Sequence, residues 1–365
     1  MRRLPAASGQ RAASQELLTS SVCAWVAVLV LGLGVVPAGR ARAESMDPVL
    51  SRLRIAGGRP GCGNTSDVNF CKDDELFERM VSELGVALAP PMASPAASHG
   101  PSGLSLALDV TVTNVDANAA QWGRTQAGAS GEPDPVLAWT HATLRKGLPF
   151  GLEVGTTIGR GHATSLWSLG LSLKWAIVEG FRTGIGALPD VALQATTTRS
   201  MGLDDLRLAT HTGELLFSKP LHVGRGYRVA PFLGVQLLFL EAQSGLVDLT
   251  PGPDDSGPGD GQEPADVDAF ERCRPGAPEP GRGTPLVCTG NGDDFINNVQ
   301  FNPVDQTRLR LFVGGELQYG LWRVSTSLGF DLLAPELEAM RRDPGQTEAT
   351  LKRQLAFSIS AGAVL

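Results

Sequence analysis

The chain has 365 residues, of which 42% are hydrophobic and 19% charged, and a formal net charge of −7. This acidic balance argues against nucleic acid as a partner, because phosphate binding needs a basic surface. The motifs G-x-x-x-x-G-K-[ST], G-x-S-x-G and H-E-x-x-H, which mark phosphate-binding loops, serine hydrolases and zinc proteases, do not occur. We therefore expect a protein that is not an enzyme and that holds no cofactor and no metal ion.

The first 43 residues have the order of a secretory signal peptide. A basic start within residues 2–11 is followed by an apolar run over residues 22–36 and by the A-x-A pattern Ala41-Arg42-Ala43. The apolar run is shorter than the roughly twenty residues that a transmembrane helix needs. We predict export and cleavage before Glu44, with an uncleaved N-terminal membrane anchor as the alternative.

Four cysteines remain after such a cleavage, and they form two local pairs. Cys62 lies close to Cys71 along the chain, and Cys273 lies close to Cys288. In an oxidising compartment, local pairs of this kind indicate disulfide bonds. Of the three possible connectivities we predict the two local ones. Zinc is the alternative, but neither pair has C-x-x-C spacing and no histidine stands nearby.

Residues 44–102 are predicted to form a short N-terminal segment with one helix. Acidic residues at 73–75 mark a first helical turn, apolar residues follow at helical spacing, and Gly85 ends the pattern. The apolar positions are Leu76, Phe77, Met80, Val81 and Leu84. Residues 88–103 are rich in proline, alanine and serine and are typical of a linker. We expect the whole segment to lie in the periplasm.

From Leu104 onwards, apolar residues alternate with polar or very small ones. This period predicts strands with one apolar face, as in a membrane barrel or in a soluble sandwich. The runs last about ten to twelve residues, which favours the barrel, because ordinary strands average about five or six. Ten runs occur, near 103–114, 136–146, 149–160, 165–179, 189–199, 206–219, 228–242, 307–319, 321–333 and 354–365. The second and sixth alternate poorly, because His141 and His211 blur their faces.

The connections between the runs differ in length at the two ends of such a barrel. With both termini in the periplasm, as an exported barrel with an even number of strands requires, the inner connections are short and the three longest are outside. The inner connections are 147–148, 180–188, 220–227 and Gly320. The outer connections are 115–135, 161–164, 200–205, 243–306 and 334–353.

In its signal peptide, alternation, loop asymmetry and final strand, the chain resembles bacterial outer-membrane β-barrel proteins. The resemblance covers roughly 103–365 and is architectural, with no motif of a specific family. It implies an all-β, antiparallel, up-and-down transmembrane barrel of about ten strands in the outer membrane of a Gram-negative cell. It also implies contact with outer-membrane lipid, with lipopolysaccharide and with the barrel-assembly machinery. The final strand departs from the class in one respect, because it ends on Leu365 where an aromatic residue is usual.

The alternation turns eight charged residues towards the lumen, four of each sign. They are Asp109, Glu153, Glu316, Asp331, Lys174, Arg308, Arg310 and Arg323. A balanced set predicts a buried network of ion pairs, because lone buried charges are costly. A barrel of about eight strands is just filled by its own side chains, and ten strands leave little more room. We therefore predict a plugged or narrow lumen, with a general diffusion porin as the alternative.

The connection 243–306 is long, acidic and rich in proline and glycine. A loop of this length is usually functional or disordered. We expect a solvated loop that could bind a partner. A calcium site is the less favoured interpretation, because no EF-hand spacing is present.

The predicted function is a surface or envelope-complex barrel that anchors or recognises a partner protein. A narrow channel for small solutes is the first alternative. An outer-membrane hydrolase with His162, Asp204 and Asp205 at the outer rim is the second, although no motif supports it. If the strands formed a soluble sandwich instead, the protein would be a periplasmic binding protein.

Overall fold

The computed structural model describes most of the chain after the predicted signal peptide. The described residues are 45–56, 70–92, 94–125, 133–180, 188–224, 226–249, 274–275, 286–287, 298–332 and 352–365. The predicted cleavage site, Cys62, Cys273, Cys288 and most of the 243–306 connection lie outside them. Cys71 is disulfide-bonded, and the pairing of the four cysteines stays a prediction.

Ten long antiparallel strands, labelled β1 to β10 in chain order, form one closed sheet. They are β1 Leu104–Asn114, β2 Val136–Gly147, β3 Leu152–Gly161, β4 Trp167–Val178, β5 Asp190–Met201, β6 Leu206–Ser218, β7 Tyr227–Ser244, β8 Val304–Tyr319, β9 Trp322–Asp331 and β10 Leu355–Val364. Each strand pairs with its neighbours in the chain, and β10 also pairs with β1, where Ser360 lies opposite Asp109. The predicted all-β, up-and-down barrel of ten strands is confirmed.

The outward face of the barrel is apolar and the inward face is polar. On β4, Leu169, Leu171 and Leu173 are 45%, 61% and 51% exposed, while Ser168 and Lys174, which flank this run, are buried. All ten strands carry exposed large apolar side chains in the same way. A barrel with paired backbone groups and an apolar outer surface is the β-structure that can cross a bilayer.

The two ends of the barrel differ, as the sequence predicted. At one end, here called the short-turn end, the strands are joined by residues 148–151, 179–189, 219–226 and 320–321. At the other, the long-loop end, they are joined by residues 115–135, 162–166, 202–205, 245–303 and 332–354. The tightest connection places Tyr319 opposite Trp322. Its two-residue turn begins on Gly320 at φ 59°, a left-handed conformation that suits glycine.

Short elements complete the described structure. The single α-helix, α1, spans Asp74–Leu88, and its N-cap Asp73 accepts a hydrogen bond from the backbone of Leu76 at 3.0 Å. The 3₁₀ helices are Leu50–Arg52, Trp122–Arg124 and Pro149–Gly151. The short strands are Arg54–Ala56 with Phe70–Lys72, Leu221–Val223 with β7, Val247–Asp248 with Asn298–Val299, and Arg274–Pro275 with Leu286–Val287. Among the described residues, no helix has the length and apolar character needed to span a membrane.

Helix α1 lies inside the barrel, which corrects the expectation of a separate periplasmic segment. Eleven of its 15 residues are buried, and it contacts β1, β2, β6, β7 and β8. The predicted apolar positions of the helix are joined by polar ones that the sequence analysis did not consider. Glu78, Ser82 and Glu83 are buried against polar groups of the lumen and of the β1–β2 connection.

The chain around α1 passes through the whole barrel. Near the long-loop end, the backbone N–H of Met46 donates to the carbonyl of Ala163 at 2.7 Å. Near the short-turn end, the ammonium of Lys146 donates to the carbonyl of Pro101 at 3.0 Å. The described residues of the segment 45–103 therefore lead from the long-loop end to the short-turn end, where β1 begins. We call this segment the plug.

Candidate functional site in the barrel lumen

The structure places all eight predicted lumen charges inside the barrel, and none is more than 7% exposed. Three of them have partners in the wall. A carboxylate oxygen of Asp109 accepts a hydrogen bond from Thr143 at 2.9 Å, and Arg323 lies 3.8 Å from Glu316. The remaining charges take part in two larger arrangements, one along the wall and one between the wall and the plug.

Seven polar side chains from adjacent strands stand directly opposite one another around the wall. They are Glu153, Lys174, Gln194, Glu214, Gln236, Arg310 and Asp331, on β3 to β9 in that order. Because barrel strands are tilted, a row in direct register climbs along the barrel axis. The row starts at Glu153 near the short-turn end and finishes at Asp331 near the long-loop end. We call it the polar spiral.

Glu214 is the centre of the polar spiral, and the sequence did not point to it. Its two carboxylate oxygens accept hydrogen bonds from Gln236 at 2.8 Å and from Gln194 at 3.2 Å. Gln236 in turn accepts a hydrogen bond from Arg310 at 3.0 Å. The sequence could have identified it, because Glu214 occupies one of the inward-facing positions of β6. It was overlooked because His211 made the alternation of that strand look poor. The two glutamines were missed because only charged residues were assigned to the lumen.

Arg308 joins the wall to the plug. Its Nη1 lies 2.8 Å from Oδ2 of Asp331, and its Nη2 donates to Oγ of Ser82 on α1 at 2.6 Å. Ser82 also donates to Gln306, and Gln306 donates to Glu78 on α1 at 2.9 Å. Buried charges are stable only when they are paired and hydrogen-bonded, and here the wall and the helix each supply partners.

Glu83 binds α1 to the connection between β1 and β2. Its carboxylate accepts hydrogen bonds from Trp122 Nε1 at 2.7 Å, from Gln121 Nε2 at 3.0 Å and from the backbone of Asp116 at 3.3 Å. All three donors belong to the long-loop end. The helix is therefore fixed to the loops above the lumen as well as to its wall.

The half of the lumen nearer the long-loop end is filled by an apolar cluster of plug and wall residues. Phe77 of α1 stacks on Phe301 with ring centroids 4.8 Å apart. Gly85 lets the helix approach β7 so closely that a Cβ at this position would overlap the side chain of Leu240. The other large members of the cluster are Met46, Leu50, Leu53, Met80, Val81, Leu84, Leu88, Trp122, Trp139, Leu166, Leu206, Leu208 and Leu249.

A second set of charged residues holds the part of the plug that lies near the short-turn end. Glu153 lies 3.3 Å from the ammonium of Lys174 and 2.6 Å from Nδ1 of His99. Lys174 donates to the carbonyl of Ala97 at 3.1 Å, and Arg323 lies 3.2 Å from Nε2 of His99. These contacts fix the descending chain of the plug to β3, β4 and β9, and we call them the lower latch.

The first residues of the plug form a cap over the long-loop end. Arg52 donates to the carbonyl of Thr125 at 3.0 Å, Arg54 donates to the carbonyl of Leu249, and Lys72 donates to the carbonyl of Gln300 at 2.9 Å. Burial, with Arg124 and Arg52 nearby, lowers the pKa of Arg54 to about 10. Arg54 therefore stays charged at neutral pH.

The cap also contacts the β3–β4 connection, where Asp47 accepts hydrogen bonds from the backbone and hydroxyl of Ser165, both at 2.6 Å. Three connections of the long-loop end are thus fixed to one piece of chain.

The residues considered for hydrolysis lie apart in their contacts. His162 contacts the hydroxyl of Thr140 at 2.8 Å, while Asp204 and Asp205 are exposed. Within the part of the chain that the structure describes, no hydrogen bond or ion pair joins these three residues. The described residues also contain no group of three or more His, Cys, Asp or Glu side chains placed to hold a metal ion.

Comparison with known proteins gives structural similarity only. No protein-family model matches the chain, and no curated protein is significantly similar to it. The attachment invasion locus protein Ail of Yersinia pestis is 8% identical, with a TM-score of 0.24 over 72% of this chain and 98% of Ail. The N-terminal β-barrel domain of Pseudomonas aeruginosa OprF is 9% identical, with a TM-score of 0.24 over 72% of this chain and 97% of that domain.

The translocator domain of the autotransporter NalP from Neisseria meningitidis is 10% identical, with a TM-score of 0.32 over 73% of this chain and 90% of that domain. Similarity at this level assigns no function. The class follows from the architecture itself, since the sheet is closed, its ten strands are long and its outer surface is apolar. The chain has the architecture of a bacterial outer-membrane β-barrel protein.

Proposed function

We propose that this protein is a permanently plugged barrel that serves as a surface anchor and recognises a partner at its long-loop end. The observation that carries this proposal is the path of residues 45–103 through the lumen, with α1 bonded to the wall through Arg308 and the lower latch bonded through Lys174. A lumen filled by its own chain along its length has little room for the free diffusion of solutes.

The energetics support a fixed plug. If the plug left the lumen, Arg308 would lose Ser82 and Lys174 would lose the carbonyl of Ala97. Loss of a hydrogen bond to a charged group costs roughly 1.5–3 kcal/mol. The apolar cluster around Phe77 would separate at the same time, and each large side chain in it contributes roughly 1.5–3 kcal/mol. The sum is far above thermal energy, so spontaneous opening would be rare.

The cap supports the assignment of function to the long-loop end. It ties together the bases of the β1–β2, β3–β4 and β7–β8 connections through Thr125, Ser165 and Gln300. Such contacts turn separate loops into one surface, and binding residues are typically carried by loops on a rigid scaffold. We assign this end to the cell exterior, because outer-membrane barrels have short turns in the periplasm.

The remaining partners follow from the same arrangement. Outer-membrane lipid and lipopolysaccharide would surround the apolar outer face, and the barrel-assembly machinery would recognise β10 during insertion. An envelope protein that binds the cap and the neighbouring loops is the partner expected for the mature protein.

Conductance in planar lipid bilayers tests the proposal. We expect the purified full chain to show no steady ion current. The double variant R308Q/K174Q loosens the plug at α1 and at the lower latch and should open intermittently. K352Q, at an exposed residue of the long-loop end, should stay closed. A steady porin-like current through the unmodified protein would contradict the proposal.

A narrow channel is the second candidate function, and one observation favours it. Both ring nitrogens of His141 and the hydroxyls of Ser168, Thr196, Thr198 and Thr210 are buried without a hydrogen-bond partner among the described residues. Such groups require water, so this strip of wall would be hydrated beside α1. If the strip conducts, T198F should reduce the current, and the outward-facing control T197F should leave it unchanged.

A further inference from the structure

Three arginines stand on the outward face of the barrel near its long-loop end. Arg160 is on β3, Arg199 on β5 and Arg207 on β6, and all three are exposed. With Trp167 of β4, they span four consecutive strands, β3 to β6. At a strand spacing of about 4.8 Å, the group extends over roughly 14 Å. We call these residues the arginine group.

The register of the strands brings the group together. Arg160 is directly opposite Trp167, with its guanidinium carbon 5.3 Å from the centre of the indole ring. Trp167 is opposite Met201, and Arg199 is two residues before Met201 on the same face of β5. Trp167 therefore fills the gap between Arg160 and Arg199 and holds the Arg160 side chain against the sheet.

The arginine group lies at the edge of the lipid-facing surface. Arg199 is opposite Leu169, which is opposite Ile158, and these two apolar side chains are 45% and 52% exposed. An arginine on a lipid-facing strand costs about 2–4 kcal/mol at the bilayer centre and about 0–1 near the interface. The position is therefore tolerated at the level of lipid headgroups, where a guanidinium meets phosphate.

The local charge favours an anion. Within the described residues of β3 to β6, the carboxylates Glu153, Asp190 and Glu214 are buried, and none faces outward beside the arginine group. The nearest exposed acids are Asp204 and Asp205 in the β5–β6 connection and Glu241 on β7. They border the arginine group at the long-loop end and on the β7 side.

We propose that the arginine group binds the phosphate groups of a phosphorylated glycolipid in the outer leaflet. Guanidinium groups bind phosphate through paired, charge-assisted hydrogen bonds, and a flat row of them matches a headgroup that lies along the membrane surface. The inference rests on the proposed orientation, with the long-loop end outside. The arginine group would hold the lipid beside the loops that form the recognition surface.

Native mass spectrometry of the purified full chain in detergent micelles tests the site. The probes are lipid A, the same lipid without its phosphates, and inorganic phosphate. We expect lipid A to bind and the dephosphorylated lipid to bind at least tenfold more weakly, which corresponds to about 1.4 kcal/mol. The double variant R199Q/R207Q should lose the same factor, and R199K/R207K should recover part of it. K352Q, which removes an exposed cation elsewhere at the same end, is the matched control.

Several results would overturn the proposal. Equal binding of the two lipids would remove the role of phosphate, and equal loss in K352Q would show only a general charge effect. Inorganic phosphate that binds while lipid A does not would assign the site to a soluble anion. Heat-dependent gel mobility establishes that each variant is folded before it is compared. Lipid binding in micelles depends neither on the orientation of the barrel in a membrane nor on conduction through its lumen. A negative result therefore contradicts the lipid site without bearing on the proposed function.

Discussion

Arg308 of β8 and Asp331 of β9 are joined in the lumen by a contact of 2.8 Å between Nη1 and Oδ2, and both side chains are fully buried. The same aspartate lies 3.4 Å from Nε of Arg310, so it serves two arginines. Arg308 also donates a hydrogen bond to Ser82 of the plug. Asp331 of the polar spiral is thus paired with the arginine that attaches the helix to the wall.

Removal of one partner of this pair should be strongly destabilising. We expect D331N to lower the free energy of unfolding by about 3–5 kcal/mol, because two buried guanidinium groups would lose their counter-charge. The exposed pair of Lys352 and Asp116, at 3.6 Å, is the control, and K352A should cost less than about 1 kcal/mol. Urea unfolding in micelles measures both. Similar values for the two variants would show that the lumen pair is well hydrated.

The two faces of β4 make a second prediction. Leu171 is 61% exposed on the outside, and Ser172 next to it faces inward. L171R should cost about 2–4 kcal/mol of barrel stability, because it places a charge in the middle of the apolar surface. S172R should be milder, since the lumen is polar at this level. Equal effects in folding titrations with lipid vesicles would mean that the face assignment is wrong.

The alternation of apolar and polar residues was sufficient to predict the barrel, but it could not predict the position of the plug. Strands β1 to β10 follow from alternation, because each has one lipid face and one lumen face. The period of α1 is equally clear, but a helix with a polar face containing Glu78 and Glu83 looks the same beside water or inside a polar lumen. Its location depends on partners such as Arg308 and Trp122, which are more than thirty residues away in the chain. Pairing over such distances leaves no local pattern.

Gly85 gives a third prediction, in which packing opposes helix propensity. In an exposed helix, Gly to Ala stabilises by about 1 kcal/mol. Here a Cβ would overlap Leu240 of β7, so we expect G85A to destabilise the protein by about 1–3 kcal/mol. In the double variant G85A/L240A the overlap is relieved, and the combined loss should be smaller than the sum of the two single losses. Additive losses in thermal unfolding would indicate that the helix does not pack on β7.

The last prediction concerns the direction of the plug. Met46 and Asp47 lie against the β3–β4 connection at the long-loop end, and Leu321 is 49% exposed in the turn at the opposite end. If the long-loop end faces the exterior, S45C should react with a membrane-impermeant maleimide on intact cells. L321C should react only after the outer membrane is opened, because it faces the periplasm. The unmodified chain is the background control, and a folded barrel is verified by heat-dependent gel mobility. Labelling of L321C but not S45C on intact cells would reverse the orientation, and protection of both would favour a periplasmic sandwich. Labelling of S45C alone would mean that the chain passes through its own barrel to present the cap at the cell surface.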